Sequence, residues 1–166
     1  MKTLLILRHA KSSWGDPTLA DHERPLNARG ERDAPRMGQL AREERLSPEL
    51  IISSDAVRAR LTAEAMAEAI GYRHQILLDA RLYHAGPAEI LAVVRSVVED
   101  DASTVLIVGH NPGLAELVAQ LTGEPEDFPT AALARIDLPI DSWSELDTTT
   151  RGTLGGSWRP DGRSGQ

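Results

Sequence analysis

The sequence predicts an α/β fold in which helices cover a mostly parallel sheet, and two observations support this prediction. First, three short apolar runs, residues 3–7, 49–53 and 104–108, are bounded by polar or turn residues. Such runs are typical of strands that are buried on both faces of a parallel sheet. Second, segments with helical spacing of apolar residues separate these runs. Strands that alternate with helices indicate parallel pairing with helical crossovers.

Four helices are predicted from apolar residues that recur at intervals of three and four, which places them on one helix face. The predicted helices are residues 28–45, 56–70, 87–99 and 112–121. Two weaker strand candidates are residues 74–78 and 131–138, and one more edge strand is predicted near residues 152–158. We expect residues 159–166 to form a loose, flexible tail. A single domain is therefore predicted over residues 1–158.

The predicted helix ends contain residues that suit those positions. Asn27, Ser54 and Asn111 have side chains that accept hydrogen bonds from the free N–H groups of a first helical turn, so all three are predicted N-caps. Gly71 and Gly123 follow helical segments, where a left-handed residue is favoured. The helix boundaries are therefore predicted by local chemistry as well as by periodicity.

Composition excludes several classes of function. The chain has 166 residues, with 18 basic and 25 acidic residues, for a net charge of −7. This balance argues against nucleic acid or an anionic membrane as a partner. Cysteine is absent, which excludes disulfides, thiolate metal sites and a cysteine nucleophile. The apolar residues 3–7 are too few for a signal-peptide core of ~7–15 residues or a membrane span of ~20. We therefore expect a soluble, cytoplasmic protein.

Two histidines and two arginines follow the predicted strands. Arg8 and His9 come directly after the first apolar run, and His110 and Asn111 follow the third. Arg58 lies in the first turn of the helix after the second run. Ligands of open α/β sheets bind outside the carboxyl ends of the strands. We therefore expect these side chains to converge at one edge of the sheet, beside two helix N-termini.

This set of residues suits a phosphoryl group. Arginine forks and helix N-termini both bind phosphate oxygens. A neutral imidazole such as that of His9 can attack phosphorus, and a second histidine, protonated at His110, would stabilise the charge of the transferred group. The alternative is a zinc site formed by His9, His84 and His110. Arg8 and Arg58 would repel a divalent cation there, so the sequence predicts no metal site.

Helical geometry separates Arg58 from a second arginine in the same turn. At ~100° per residue, Arg58 and Arg60 point about 200° apart, so only one of them can face the sheet edge. Arg58 is nearer the end of the strand and borders the apolar stripe of the helix. The sequence therefore predicts that Arg58 lies in the site and that Arg60 points away.

Several motifs together resemble those of the histidine phosphatase superfamily, in its phosphohistidine phosphatase (SixA-like) branch. The matching segments are residues 7–14 (LRHAKSSW), 24–27 (RPLN), 29–30 (RG), 53–64 (SSDAVRARLTAE), 82–83 (LY) and 108–113 (VGHNPG). The resemblance implies a three-layer α/β/α sandwich of the phosphoglycerate mutase-like type. It also implies cofactor-free catalysis through a covalent phosphohistidine. By this resemblance His9 is the nucleophile, and Arg8, Arg58 and His110 bind phosphate, assisted by the backbone at Asn111.

The sequence departs from the wider superfamily in ways that bear on the substrate. His84 follows the Leu-Tyr pair, where many ester-cleaving members have an acidic residue. Without such an acid, hydrolysis of esters should be slow, because an alkoxide leaving group needs a proton. A protonated phosphoimidazole leaves as neutral imidazole and needs less help. The departures favour a phosphohistidine substrate, although Asp21, Glu23 or His84 could supply a proton.

The function predicted from the sequence is removal of phosphate from a phosphohistidine-bearing protein, with inorganic phosphate as product. Short connections between the predicted elements support an open pocket that admits a protein substrate. One alternative is a phosphomonoesterase of the same superfamily that acts on a small phosphate ester. A second alternative is a non-catalytic module that binds phosphate or a phosphopeptide, although binding alone would not require His9.

Overall fold

The structure is a computed structural model that describes residues 1–164. In this part of the chain, seven strands form one sheet. The strands are β1 (Lys2–Arg8), β2 (Leu50–Ser53), β3 (Leu77–Leu78), β4 (Thr104–Gly109), β5 (Leu133–Leu138), β6 (Thr153–Arg159) and β7 (Gly162–Ser164). The helices are α1 (Ala28–Glu43), α2 (Val57–Ile70), α3 (Pro87–Val97) and α4 (Gly113–Thr122). Three short 3₁₀ helices lie at Asp21–Glu23, Ala80–Leu82 and Trp143–Glu145.

The strand order is β3-β2-β4-β1-β5-β6-β7. The pairs among β3, β2, β4 and β1 are parallel, whereas β5, β6 and β7 join the sheet by antiparallel pairs. The predicted α/β class is confirmed. The prediction of a loose tail from residue 159 is wrong as far as Ser164, because β7 pairs with β6 in a hairpin. Residues 165 and 166 of that predicted tail lie outside the described residues.

Side chains of the sheet pack on both of its faces. In β1, Leu4 and Ile6 belong to a core that includes residues of α3 and α4, whereas Leu5 and Leu7 belong to a second core with residues of α1 and α2. Alternate residues of a strand point to opposite faces, so β1 is buried on both sides. The result is the three-layer α/β/α sandwich. None of the helices in residues 1–164 has the length and apolarity needed to cross a membrane.

Three of the predicted helix ends are confirmed. The Asn27 side chain accepts a hydrogen bond from the Gly30 N–H at 2.9 Å and caps α1. Gly71 and Gly123 have φ angles of 73° and 77°, in the left-handed region that glycine tolerates best. Both glycines therefore end their helices as the sequence predicted.

The other two predicted N-caps are wrong. Helix α2 is preceded by Ala56, and α4 by Pro112, as the N-cap residues. Ser54 and Asn111 lie one or two residues farther upstream, where their side chains take part in contacts around the site. The two residues correctly indicated that a helix begins nearby. Their side chains, however, form tertiary contacts, and neither residue is the N-cap of its helix.

Candidate active site

The register of the two central strands brings the two histidines together. Arg8 pairs with Gly109 in the parallel β1–β4 ladder, and the His9 N–H donates to the Gly109 carbonyl at 3.1 Å. His9 and His110 therefore follow neighbouring strands at the same edge of the sheet. The centroids of their rings are 5.2 Å apart, and both residues are buried.

A pocket of about 250 Å³ lies over this edge of the sheet. All five residues that the sequence predicted for the site line it, together with six others. The lining residues are Arg8, His9, Lys11, Ser12, Trp14, Arg24, Arg58, His84, His110, Asn111 and Thr130. Four of them are arginine or lysine and none is acidic, although the whole chain has a net charge of −7. The local field therefore favours an anionic ligand.

The environment of His9 leaves one ring nitrogen free to react. Its Nδ1 lies 2.8 Å from the Ala10 carbonyl oxygen, which can only accept a hydrogen bond, so Nδ1 carries the proton. Nε2 then keeps its lone pair. Burial lowers the pKa of His9 to about 4, and the positive charges of Arg58 and Arg8 act in the same direction. The ring is therefore neutral and nucleophilic at neutral pH.

The low pKa of His110 favours a neutral ring in this environment, against the expectation that the ring is protonated. Burial lowers its pKa to about 3, assisted by the positive charge of Arg58. Its Nε2 lies 2.8 Å from the Ser54 hydroxyl, and its Nδ1 is buried without a hydrogen-bond partner. A neutral ring cannot contribute a full positive charge to a phosphate, but it can still donate one hydrogen bond.

Each of the two predicted arginines is held by the protein at one end of its guanidinium group. Arg8 Nη1 donates to the Phe128 carbonyl at 3.2 Å. Arg58 donates from Nη1 to the Asp21 carbonyl at 2.7 Å and from Nη2 to the Asp21 carboxylate at 3.0 Å. In both arginines, Nε is buried without a partner. Buried unpaired donors are costly, so these nitrogens indicate a site for an acceptor-rich ligand.

Asp21 is the main residue of the site whose position the sequence did not reveal. Besides Arg58, its carboxylate accepts hydrogen bonds from Arg24 Nε at 3.1 Å and from the Tyr83 hydroxyl. The Tyr83 and Arg58 contacts hold the pKa of Asp21 well below its ordinary range. A carboxylate that stays ionised at neutral pH is a poor proton donor. The structure therefore favours Asp21 as an anchor for the arginines.

The other two candidate proton donors differ in position. His84 is exposed, lines the pocket and has a φ of 60°, with its ring 3.9 Å from that of Tyr83. Glu23 does not line the pocket, and its carboxylate lies 3.8 Å from the ring of His22. Of the three side chains named from the sequence, His84 is thus the one that reaches the pocket without a tight ionic anchor.

The amide group of Asn111 is already engaged by the protein. Its Nδ2 donates to the Phe128 carbonyl at 2.7 Å, and its Oδ1 accepts from the Ala115 N–H at 3.2 Å. Asn111 thereby joins the start of α4 to the same carbonyl that holds Arg8. Direct contact between this side chain and a substrate remains a prediction.

Two further expectations concern Arg60 and metal ions. Arg60 forms an ion pair with Glu64 at 3.0 Å and does not line the pocket, as the helical spacing predicted. Across residues 1–164, no three histidine or acidic side chains are grouped so that they could hold a metal ion. The alternative zinc site at His9, His84 and His110 therefore has no support in the geometry.

Two adjacent neutral histidines and two anchored arginines in a cationic pocket define a phosphate-binding α/β protein of the phosphoryl-transfer class. A family model for the histidine phosphatase superfamily (branch 1) matches residues 4–91, and the chain belongs to this superfamily. Within it, solved structures place the chain in the SixA-like branch.

Three relatives illustrate this placement. A crystal structure described as a proposed phosphohistidine phosphatase SixA from Agrobacterium tumefaciens is 30% identical, with a TM-score of 0.80 over 96% of this chain and 98% of that one. A proposed SixA from Nakamurella multipartita is 29% identical, with a TM-score of 0.81 over 96% of each chain. An uncharacterised chloroplast protein of Arabidopsis thaliana is 32% identical over 152 residues, which are 87% of this chain and 70% of that protein.

Proposed function

We propose that the protein is a metal-independent phosphohistidine phosphatase that acts through a covalent phosphohistidine at His9. The observation that carries this proposal is the pocket lining, which combines a neutral nucleophilic histidine with cationic side chains and contains no carboxyl group. The similarity to proteins described as proposed SixA phosphatases supports the same substrate class.

The first step transfers the phosphoryl group between two imidazoles. The Nε2 lone pair of His9 forms a bond to phosphorus while the P–N bond of the substrate breaks. A substrate ring that is protonated on its other nitrogen leaves as neutral imidazole. His9 keeps its Nδ1 proton on the Ala10 carbonyl and becomes a cationic phosphoimidazole. Charge and atoms balance without any proton transfer, so this step requires no general acid.

The second step hydrolyses the phosphoenzyme. A water oxygen bonds to phosphorus, the bond from phosphorus to His9 Nε2 breaks, and the ring leaves as neutral imidazole. Both protons of the water remain on the product, which is dihydrogen phosphate. The Nδ1 proton is essential here because it makes the ring a good leaving group. The contact with Ala10 therefore serves both steps.

Arg8, Arg58 and His110 are the groups that bind the phosphoryl oxygens in this mechanism. Each has a buried nitrogen without a partner, and each side chain lines the pocket beside His9. Anchoring by Phe128 and Asp21 fixes both guanidinium groups before the substrate arrives. Such preorganised donors stabilise charge in the transition state without reorganisation.

A phosphate ester makes a demand that this pocket does not meet. Its alkoxide leaving group needs a proton, and general acid catalysis is typically worth about 10²–10⁴-fold. Asp21 is held ionised. Of the three proton donors that the sequence suggested, His84 is the one that lines the pocket. Cleavage of esters should therefore depend strongly on the leaving group.

The test compares kcat/KM for a phosphohistidine peptide, p-nitrophenyl phosphate and a sugar phosphate. We expect efficient turnover of the peptide, modest turnover of p-nitrophenyl phosphate and poor turnover of the sugar phosphate. His84→Glu should improve the sugar phosphate most, because it adds a carboxylic acid at the pocket. His84→Gln is the matched control, since it removes the imidazole without adding an acid.

Two results would contradict the proposal. Equal turnover of esters over a wide range of leaving-group pKa would show that a proton donor is already present and would favour the phosphomonoesterase. Failure of His9 to acquire an acid-labile, base-stable phosphate from any of the three substrates would favour the binding module.

A further inference from the structure

The Ser54 hydroxyl makes a contact that the mechanism has not yet used. Ser54 is fully buried and lies between β2 and α2. Its Oγ accepts a hydrogen bond from the Ala56 N–H at 3.2 Å, and the same Oγ lies 2.8 Å from Nε2 of His110. The other ring nitrogen of His110, Nδ1, is buried without a partner.

Counting hydrogens distinguishes the two tautomers of this neutral ring. With the proton on Nε2, the Ser54 Oγ would accept two hydrogen bonds, and its own buried hydrogen would have no acceptor among the contacts of that atom. Nδ1 would then be an unpaired acceptor as well. With the proton on Nδ1, the Ser54 hydroxyl donates to Nε2 and is satisfied. One unpaired group then remains, the Nδ1–H, so this tautomer has the lower desolvation cost.

We propose that Ser54 is a positioning residue that holds His110 as the Nδ1–H tautomer, so that the ring presents a donor and not a lone pair to phosphate. The tautomer of His110 does not depend on the proposed function; only the role of its Nδ1–H as a donor to phosphate rests on that function. The opposite tautomer would direct a lone pair at an anionic ligand. A hydroxyl behind the ring therefore determines whether His110 attracts or repels the phosphoryl oxygens.

One short segment thus prepares two of the phosphate-binding groups. Ser54 orients His110, and Arg58, four residues later, contributes its own unpartnered nitrogen. Ser54 does not cap α2, because its Oγ accepts from the N–H of Ala56, which precedes the helix.

Ser53 offers a matched control. It is also fully buried, and its hydroxyl donates to the Ser54 carbonyl at 2.9 Å. Removing the Ser53 hydroxyl deletes one buried hydrogen bond and removing the Ser54 hydroxyl deletes two, but only Ser54 contacts a catalytic ring. Ser54→Ala and Ser53→Ala therefore separate loss of structure from loss of the tautomer.

The direct measurement is ¹⁵N NMR of His110 in the wild-type protein at neutral pH, where protonated and unprotonated ring nitrogens have well-separated shifts. We expect a protonated Nδ1 and an unprotonated Nε2. This NMR measurement requires no substrate and no variant. It therefore tests the tautomer of His110 even if the proposed substrate is wrong or Ser54→Ala does not fold. A protonated Nε2 in the wild type would overturn the proposal.

The variants test the consequence. Ser54→Ala should shift the ¹⁵N signals of His110 toward a mixture of tautomers and lower kcat/KM for p-nitrophenyl phosphate by roughly 10–100-fold, the range seen when metal-binding histidines lose their orienting partner. Ser54→Thr, which keeps the hydroxyl, should restore most of the activity. Ser53→Ala should leave both readouts near wild type. Equal losses in Ser53→Ala and Ser54→Ala would show that the hydroxyl is only structural.

Discussion

Two hollows at opposite edges of the sheet differ in size and in charge. The pocket around His9 and His110 measures about 250 Å³, whereas a cleft at the amino ends of β2 and β4 measures about 410 Å³. The larger cleft has three carboxylates and no arginine or lysine. Its lining residues are Glu49, Leu50, His74, Leu77, Val97, Glu99, Asp101 and Ala102. Such a lining repels phosphate, so the space available does not identify the phosphate site.

The two hollows also differ in whether their polar groups are satisfied. Glu49 in the larger cleft accepts hydrogen bonds from the backbone of Ser103 and Thr104. Among the described residues, no lining side chain of that cleft has a buried atom without a partner, whereas Arg8, Arg58 and His110 each do. Buried donors without a partner indicate a site for an anion, and this is the clearest difference between the two regions.

The largest expected effect comes from removing the nucleophile. His9→Ala should lower kcat for the phosphohistidine peptide by about 10³-fold or more, because no covalent intermediate can form. Phosphate or vanadate should still bind, since the arginines remain. His74→Ala in the larger cleft is the control and should leave kcat unchanged. Near-normal kcat of a folded His9→Ala protein would contradict the covalent mechanism.

The second comparison concerns two arginines of the same helix. Arg58→Lys should lower kcat/KM by about 10²-fold, because the compact ammonium of lysine lacks the planar fork that bonds Asp21 on one side and can bind phosphate on the other. Arg60→Lys should be almost silent, since Arg60 pairs with Glu64 outside the pocket. Steady-state kinetics of both variants test this prediction. Equal losses of kcat/KM would show that activity does not depend on which face of α2 carries the arginine.

The parallel part of the fold could be predicted from sequence because its strands are continuous apolar runs. Residues 3–7 and 104–108 lie within β1 and β4, which form the centre of the sheet. Strand β6 matches the edge strand predicted near residues 152–158, whereas β7 could not be predicted, because Gly162–Ser164 has no apolar pattern and pairs at the edge of the sheet. A periodic apolar pattern is what identifies a strand in a sequence, so a segment without one gives no such signal.

The site was predictable to the extent that it follows the strands. Arg8, His9, Arg58 and His110 could be named because strand ends converge on one edge of the sheet. Asp21 as an anchor could not be foreseen, since it lies 37 residues before Arg58 in a segment without periodicity. The neutral state of His110 could not be foreseen either, because its pKa depends on burial and on neighbouring charges that are brought together only by folding.

A smaller effect is expected in the pH dependence of stability. The pKa values of His9 and His110 are lowered to about 4 and about 3, from about 6.5 in an unfolded chain. As the pH falls below 6.5, the unfolded chain therefore binds protons that the folded protein does not, and the free energy of unfolding decreases until the folded pKa values are reached.

Thermal unfolding of His110→Ala should consequently show a smaller fall in Tm between pH 7 and pH 5 than the wild type shows. His74→Ala, which removes an exposed histidine of the larger cleft, is the control. A fall in Tm that is the same in all three proteins would indicate that His110 does not oppose protonation in the folded protein. Carboxylates such as Asp21 contribute mainly below this window, because their ordinary pKa lies near 4.

The smallest effect, none at all, is expected from chelation. Arg8, Arg24, Arg58 and Lys11 already place positive charge around the pocket, and its lining contains no carboxylate that would hold a divalent cation against them. Incubation with EDTA should therefore leave kcat and KM for p-nitrophenyl phosphate unchanged, and added zinc or magnesium should not increase kcat. Loss of turnover on chelation, restored by zinc, would show that the pocket around His9 depends on a metal.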